Sequence, residues 1–165
     1  CAAPCGRAGF PLVSERLVLG YCGRRKGPFR PHFGQKGHLE HRFEGCCHLV
    51  DDDIIGGTGK SVIYAGPKGD RIQASAGGSI IYAGGGADRI TGGAADDVIE
   101  AGRGDATIDG GAGTNLVSLH GAHDEYLITR TESGHLITDT VAGRDGRLSL
   151  SNIQKLSFAD IAAID

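Results

Sequence analysis

An aliphatic residue recurs at every ninth position through the middle of this chain, and that ladder limits the possible folds more than any other feature. Starting at Ile54, the step of nine gives Ile63, Ile72, Ile81, Ile90, Ile99, Ile108 and Val117. Eight aliphatics in one register do not arise from independent positions, so the fold must repeat with the sequence. Each rung sits in a unit with a Gly-rich half and a short aliphatic half. Gly84-Gly85-Gly86-Ala87-Asp88-Arg89-Ile90 is the cleanest, Gly92-Gly93-Ala94-Ala95-Asp96-Asp97-Val98-Ile99 follows it, and Gly56-Gly57-Thr58-Gly59 opens an earlier one. Glycines permit turns with positive φ, and the aliphatic half suits a strand of about three residues. In that strand the Asp and aliphatic positions are two apart, so both face inward while their neighbours face solvent. Alternate units bend the chain in opposite directions. Two units then make one 18-residue coil, residues 18 apart stack, and two parallel sheets enclose the aliphatic ladder.

Composition agrees with a solenoid. The chain has 29 Gly among 165 residues, no Trp and no Met. That much Gly without a three-residue period is not collagen, and with this aliphatic content it is not simple disorder. Lacking Met, the sequence is expected to be a fragment, a processed product or an imperfect gene model. Residues 1–50 hold all five Cys, four of the seven His and a net charge of +5, whereas residues 51–165 carry −8 and no Cys. An acidic body argues for cations and against nucleic acid as partners. No apolar run reaches membrane-spanning length, and no secretory leader is visible. Three regions follow: a Cys/His/Arg-rich head (1–50), expected to be either disordered or not native coding sequence, a repeat roll (51–118), and a C-terminal β cap (119–165).

The 18-residue rule sorts the Asp positions onto two edges. One edge carries Asp52, Asp70, Asp88 and then Ala106; the other carries Ser61, Ser79, Asp97 and then Asn115. Stacked strands lie about 4.8 Å apart, and two carboxylates at that spacing repel by roughly 3 kcal/mol at an effective dielectric of 20. A ladder of three opposes folding unless a cation sits between the rungs. Calcium suits such a place because it is hard and accepts mixed carboxylate and carbonyl oxygens. Ions are therefore expected between Asp52 and Asp70 and between Asp70 and Asp88, helped by the carbonyls around Gly66, Gly84 and Gly86, with Asp97 a further ligand on the other edge. Lys68, Ala95 and Ala106 break the pattern, with Asp105 the nearest substitute at the last of these. Two or three ions are expected, fewer than the repeats would allow. The competing view is a calcium-free solenoid whose Asp residues only make turns.

The repeating Gly-Gly-x-Gly-x-Asp-x-aliphatic-x unit resembles the RTX, or haemolysin-type, calcium-binding nonapeptide repeat over roughly residues 51–118. The resemblance implies a right-handed parallel β-roll that binds calcium ions, secreted to the extracellular space by a type I apparatus. Beyond Val117, Glu125–Arg130 and His135–Asp139 form two strands around a turn at Glu132-Ser133-Gly134, and Arg144-Asp145-Gly146 marks another turn. Leu148, Leu150, Ile153, Leu156, Phe158 and Ile161 supply the cap with apolar residues. The stretches Asp139–Gly146 and Asn152–Asp160 are similar to the region closing the β-rolls of serralysin-type proteases and alginate epimerases. There the Asp-Gly turn is followed two residues later by another Asp; here that place holds Leu148, which argues against calcium at this turn. The ending Ile161–Asp165 is compatible with the uncleaved type I signal of such proteins.

Nothing in the sequence has catalytic spacing. His38-Leu39-Glu40-His41 lacks the second residue that a zincin helix needs between Glu and His. Cys46-Cys47-His48 has no paired C-x-x-C, and Gly59-Lys60-Ser61 lacks the earlier Gly of a phosphate loop. The leading expectation is a non-catalytic calcium-binding module of a secreted bacterial protein that folds on binding calcium after export. One alternative is the C-terminal piece of a secreted enzyme: a serralysin-type protease, a lipase or an alginate epimerase. Another is a surface or adhesive roll presenting the outward pairs Tyr64/Tyr82 and Arg71/Arg89.

Overall fold

The structure is a computed structural model that describes residues 51–161, together with the backbone of two upstream strands. Those two are β1 (Val18–Leu19) and β2 (His41–Glu44). The roll follows as β3 (Asp53–Ile55), β4 (Ser61–Gly66), β5 (Arg71–Gln73), β6 (Ser79–Gly84) and β7 (Asp88–Thr91). It continues through β8 (Val98–Glu100), β9 (Ala106–Asp109) and β10 (Leu116–Ser118). After a 3-10 turn at His123–Glu125 come β11 (Tyr126–Thr131), β12 (Gly134–Asp139), β13 (Arg147–Ser151) and β14 (Lys155–Ser157).

From β3 to β10, successive strands alternate between two sheets, each of seven strands among the described residues. One runs β1-β2-β4-β6-β8-β10-β14 and the other β11-β12-β13-β9-β7-β5-β3. Pairing in the roll is parallel, with partners 18 residues apart: Ile54 opposite Ile72, Ile72 opposite Ile90, and Ile90 opposite Ile108 in one sheet. In the other, Ile63 lies opposite Ile81, Ile81 opposite Ile99, and Ile99 opposite Val117. From Ile63 to Val117 every rung is 1% exposed or less, so the ladder is the core. Each such Ile contributes about 2–3 kcal/mol through burial. The neighbours alternate as the two-residue period requires: Arg71 and Gln73 are exposed around buried Ile72. This is the expected parallel β-roll.

The turns stack as closely as the strands. A Cβ on Gly84, whose φ is +91°, would lie 2.0 Å from the carbonyl oxygen of Gly66, and one on Gly102 (φ +75°) would lie 2.3 Å from that of Gly84. Glycine is required there twice over, by the left-handed backbone and by the coil beneath.

The cap completes the roll before closing it. β11 and β12 form an antiparallel hairpin, β12 pairs antiparallel with β13, and β13 returns parallel onto β9. β14 pairs parallel with β10. Leu150 therefore stacks on Ile108 and Leu156 on Val117, so the cap supplies one more coil. Leu148, Leu150 and Phe158 are buried, with Ile153 and Leu156 partly so, but Ile161 is 38% exposed and does not join the cap's apolar interior. Glu125, expected in the first hairpin strand, belongs to the 3-10 turn, where its carboxylate accepts from the Ala122 N–H.

In the head, β1 pairs parallel with β2 and β2 with β4, Phe43 standing opposite Ile63. Pairing there satisfies backbone groups that β4 would otherwise present at an open edge. The remainder of residues 1–50, including Cys46-Cys47-His48, and residues 162–165 lie outside the described residues.

Candidate metal centre

One rule organises both edges of the roll. Where the Asp position holds a carbonyl-type side-chain oxygen, that oxygen accepts a hydrogen bond from the backbone N–H of its counterpart one coil earlier; Ser79 is the exception, since the Ser61 N–H donates to the Gly78 carbonyl. On the first edge, Oδ1 of Asp70 accepts from the Asp52 N–H and Oδ1 of Asp88 from the Asp70 N–H, each at 2.7 Å. On the second, Asp97 accepts from the Ser79 N–H at 2.6 Å, Asn115 from the Asp97 N–H at 3.0 Å, and Gln154 from the Asn115 N–H at 2.8 Å. Parallel strands end here, and the side chain takes over a backbone donor that the ladder no longer serves.

The edges differ in what remains after that bond. Asp70 and Asp88 are each 3% exposed, and the Oδ2 atom of each is buried without a hydrogen-bond partner among the described residues. Asp97 spends both oxygens, the second accepting from the Gly93 N–H at 2.8 Å. Asn115 gives its amide protons to the carbonyls of Ala112 and Asn152. Ser61, Ser75 and Ser79 close a triangle of hydroxyl contacts, each 3.0 Å. The second edge is complete with protein groups alone, whereas the first holds two orphaned carboxylate oxygens.

Titration behaviour follows from this geometry. Burial pushes the Asp88 carboxyl up to about 7, offset in part by the Asp70 N–H and reinforced by the Asp70 charge. The Asp70 carboxyl rises to about 6 by burial, with the Asp52 N–H lowering it and the charges of Asp52 and Asp51 raising it. Asp52, at the open end of the stack, is raised by burial and then by Asp51. Asp97 is also raised by burial, against the N–H groups of Gly93 and Ser79. A buried carboxylate oxygen without a partner costs about 1–3 kcal/mol, more when charged. These groups fit a cation.

Of the expected carbonyl donors, Gly66 stands nearest an orphaned oxygen. A Cβ built on Gly66 would lie 3.8 Å from the orphaned Oδ2 of Asp70, so that oxygen faces the Gly66 turn. The carbonyls of Gly66 and Gly84 each accept one backbone N–H from a later residue, Gly85 at 2.7 Å and Arg103 at 2.8 Å, leaving one lone pair apiece. Gly86 stacks its turn on Lys68 and Gly69. Among the described residues, no three His, Cys, Asp or Glu side chains converge as a metal cluster.

Asp105 is the nearest carboxylate to the Asp missing at Ala106. Its Oδ1 accepts from the Arg147 N–H, tying the roll to β13. Leu148 is fully buried, stacked on Ala106 and paired with Ile137, as its apolar side chain requires. The tail instead holds a cluster that spacing did not disclose. Asp145, fully buried, accepts from the His120 N–H, the His120 ring and the Tyr126 hydroxyl. Arg144 makes a bidentate pair with Asp139 and a third bond to Glu125, packed between Gly121 and the Tyr126 ring. These carboxylates are satisfied by protein donors.

Compared with known proteins, the chain matches a family model for the RTX calcium-binding nonapeptide repeat in four copies, at residues 50–67, 64–99, 82–117 and 91–125. No curated protein and no solved structure matches it.

Proposed function

We propose, from the match of residues 50–125 to the RTX calcium-binding nonapeptide repeat, that this chain is a non-catalytic module whose folding is controlled by calcium at the Asp52–Asp70–Asp88 edge. The repeats are calcium-binding, and the observation that supports this edge as the controlling one is the pair of buried Oδ2 atoms on Asp70 and Asp88, unpartnered among the described residues. The N–H cap made by Oδ1 needs no charge, since Asn115 makes the same cap as a neutral amide. What Asp adds is a second oxygen and a negative charge, and that oxygen lacks a hydrogen-bond partner among the described residues. Calcium supplies the countercharge and accepts six to eight oxygens.

The ion positions this favours lie between Asp52 and Asp70 and between Asp70 and Asp88, with backbone carbonyls from Gly66, Gly84 and Gly86 completing the shell. Asp97 is the weaker ligand, because both its oxygens already accept backbone N–H groups. At low calcium the charged edge opposes the roll; at millimolar calcium it is neutralised and the roll forms. Such a device suits a bacterial protein exported unfolded by a type I apparatus and folded outside the cell. Circular dichroism of the full chain, titrated with calcium and then with chelator, tests the reading. A β signal that appears with calcium and disappears with chelator is expected. One that ignores both would remove the calcium control.

A further inference from the structure

We propose that His120 is a cationic clamp locking the hairpin cap onto the last coil of the roll, and that the clamp opens when the ring loses its proton. The inference is independent of the calcium edge. His120 follows β10, and its two ring nitrogens face opposite neighbours. Nδ1 is 2.5 Å from Oδ1 of Asp145 in the turn before β13, and Nε2 is 3.2 Å from Oε1 of Glu100 at the end of β8. A neutral imidazole donates from one nitrogen only, whereas an imidazolium donates from both. With a carboxylate at each end, the ring joins roll to cap fully only when it is charged.

The other end of the bridge is built to stay in place. Asp145 is fully buried and accepts three donors besides its own backbone contacts: the His120 N–H, the His120 ring and the Tyr126 hydroxyl. That hydroxyl in turn accepts from the Gly121 N–H, so the segment after β10 is fastened to β11 at the same point. Around the clamp stand Glu100 of β8, Tyr126 of β11, and Arg144 beside Asp145, with Asp139 of β12 and Glu125 of the 3-10 turn held by Arg144. Burial of the His120 ring lowers its affinity for a proton, but the hydrogen bond and charge of Asp145, then those of Glu100, outweigh it and leave the ring raised above its ordinary value of 6.5. A raised His contributes stability that is complete below its unfolded value and is lost as pH rises through the folded one. The cap therefore loosens on the alkaline side.

The test uses the calcium-saturated full chain. Imidazole NMR gives the His120 midpoint, and amide hydrogen exchange across β11 and β12 gives cap protection against pH for the native chain and His120→Gln. The native midpoint is expected above 6.5. Native protection should exceed that of the variant by roughly two- to fivefold at low pH, the range for a partly exposed ion pair, and converge with it above the midpoint. A ratio that does not change with pH, or a midpoint at or below 6.5, overturns the proposal. If His120→Gln does not fold, Glu100→Gln must lower the His120 midpoint; an unmoved midpoint refutes the clamp equally.

Discussion

Replacing Asp88 with Asn separates the two roles of its side chain. The amide oxygen keeps the cap on the Asp70 N–H, as Asn115 does for Asp97 on the other edge. The substitution removes the charge and the orphaned Oδ2. Raising the carboxyl from 3.8 to about 7 corresponds to roughly 4 kcal/mol of opposition to folding once the group is ionised. The new amide N–H₂ would be a buried donor without a partner, at about 1–3 kcal/mol. In chelator at pH 7.5, Asp88→Asn should therefore be more stable than the native chain, by about 1–3 kcal/mol. In saturating calcium the order should reverse, because the variant has lost a ligand and gains less from binding. Urea melts followed by circular dichroism, in chelator and in millimolar calcium, give both numbers. If Asp88→Asn is destabilising by the same amount in both conditions, the second oxygen has no role toward a cation, and Asp88 is only a turn cap.

Three further outcomes follow from the same geometry. The calcium-free native chain should gain stability as pH falls: Asp70 and Asp88 are raised to about 6 and about 7, so their opposition is full above pH 7 and vanishes towards 3.8, which urea midpoints from pH 8 to pH 5 would register. Gly84→Ala places a Cβ 2.0 Å from the Gly66 carbonyl at a φ of +91°, and a loss of about 3 kcal/mol or more is expected in thermal melts, with or without calcium. Ile81→Ala, at a rung with no exposure, should cost about 2–5 kcal/mol in urea, whereas Ile80→Ala, 41% exposed next to it, should cost less than about 1 kcal/mol.

The ladder made the roll legible because it records the coil length directly. Once 18 residues make a coil, the Asp positions sort themselves onto edges, and the stacking of Asp88 on Ala106 is already implied. The rung cap was not read, although its signal was present. Asp, Asn and Gln share only a carbonyl-type oxygen at that reach, and that shared atom is the acceptor. The His120 cluster gave no signal of this kind, since its members lie 20 and 25 residues apart, outside the repeat register. It depends on how the hairpin folds back, a tertiary event that no local pattern encodes. The adhesive reading of Tyr64 and Tyr82 also looks different in three dimensions. Their rings stack on each other at 4.7 Å and 7°, so each spends one face on the other.

The asymmetry between the edges implies that calcium does not act on the roll evenly. Its charged, incomplete edge spans Asp52 to Asp88 and ends at Ala106, which needs no countercharge. Beyond that point the same edge carries the apolar Leu148, while on the opposite edge Asp97 is followed by Asn115 and Gln154, each serving as a neutral acceptor, and β13 and β14 close the two sheets onto β9 and β10. On this edge the opposition to folding, about 3 kcal/mol from Asp70 and about 4 from Asp88 before their coupling is considered, falls on the first coils, whereas Asp97, also raised by burial, has both oxygens held by backbone N–H groups. A solenoid's stability is nearly a sum over neighbouring coils, so a local penalty can unravel one end while the other persists. In chelator near pH 7.5, amide exchange should show β9 to β14 protected and β3 to β7 open, with calcium extending protection toward β3. Uniform exchange across both halves without calcium would mean that the coils fold as one unit, and the control would then belong to the whole roll rather than to one edge of it.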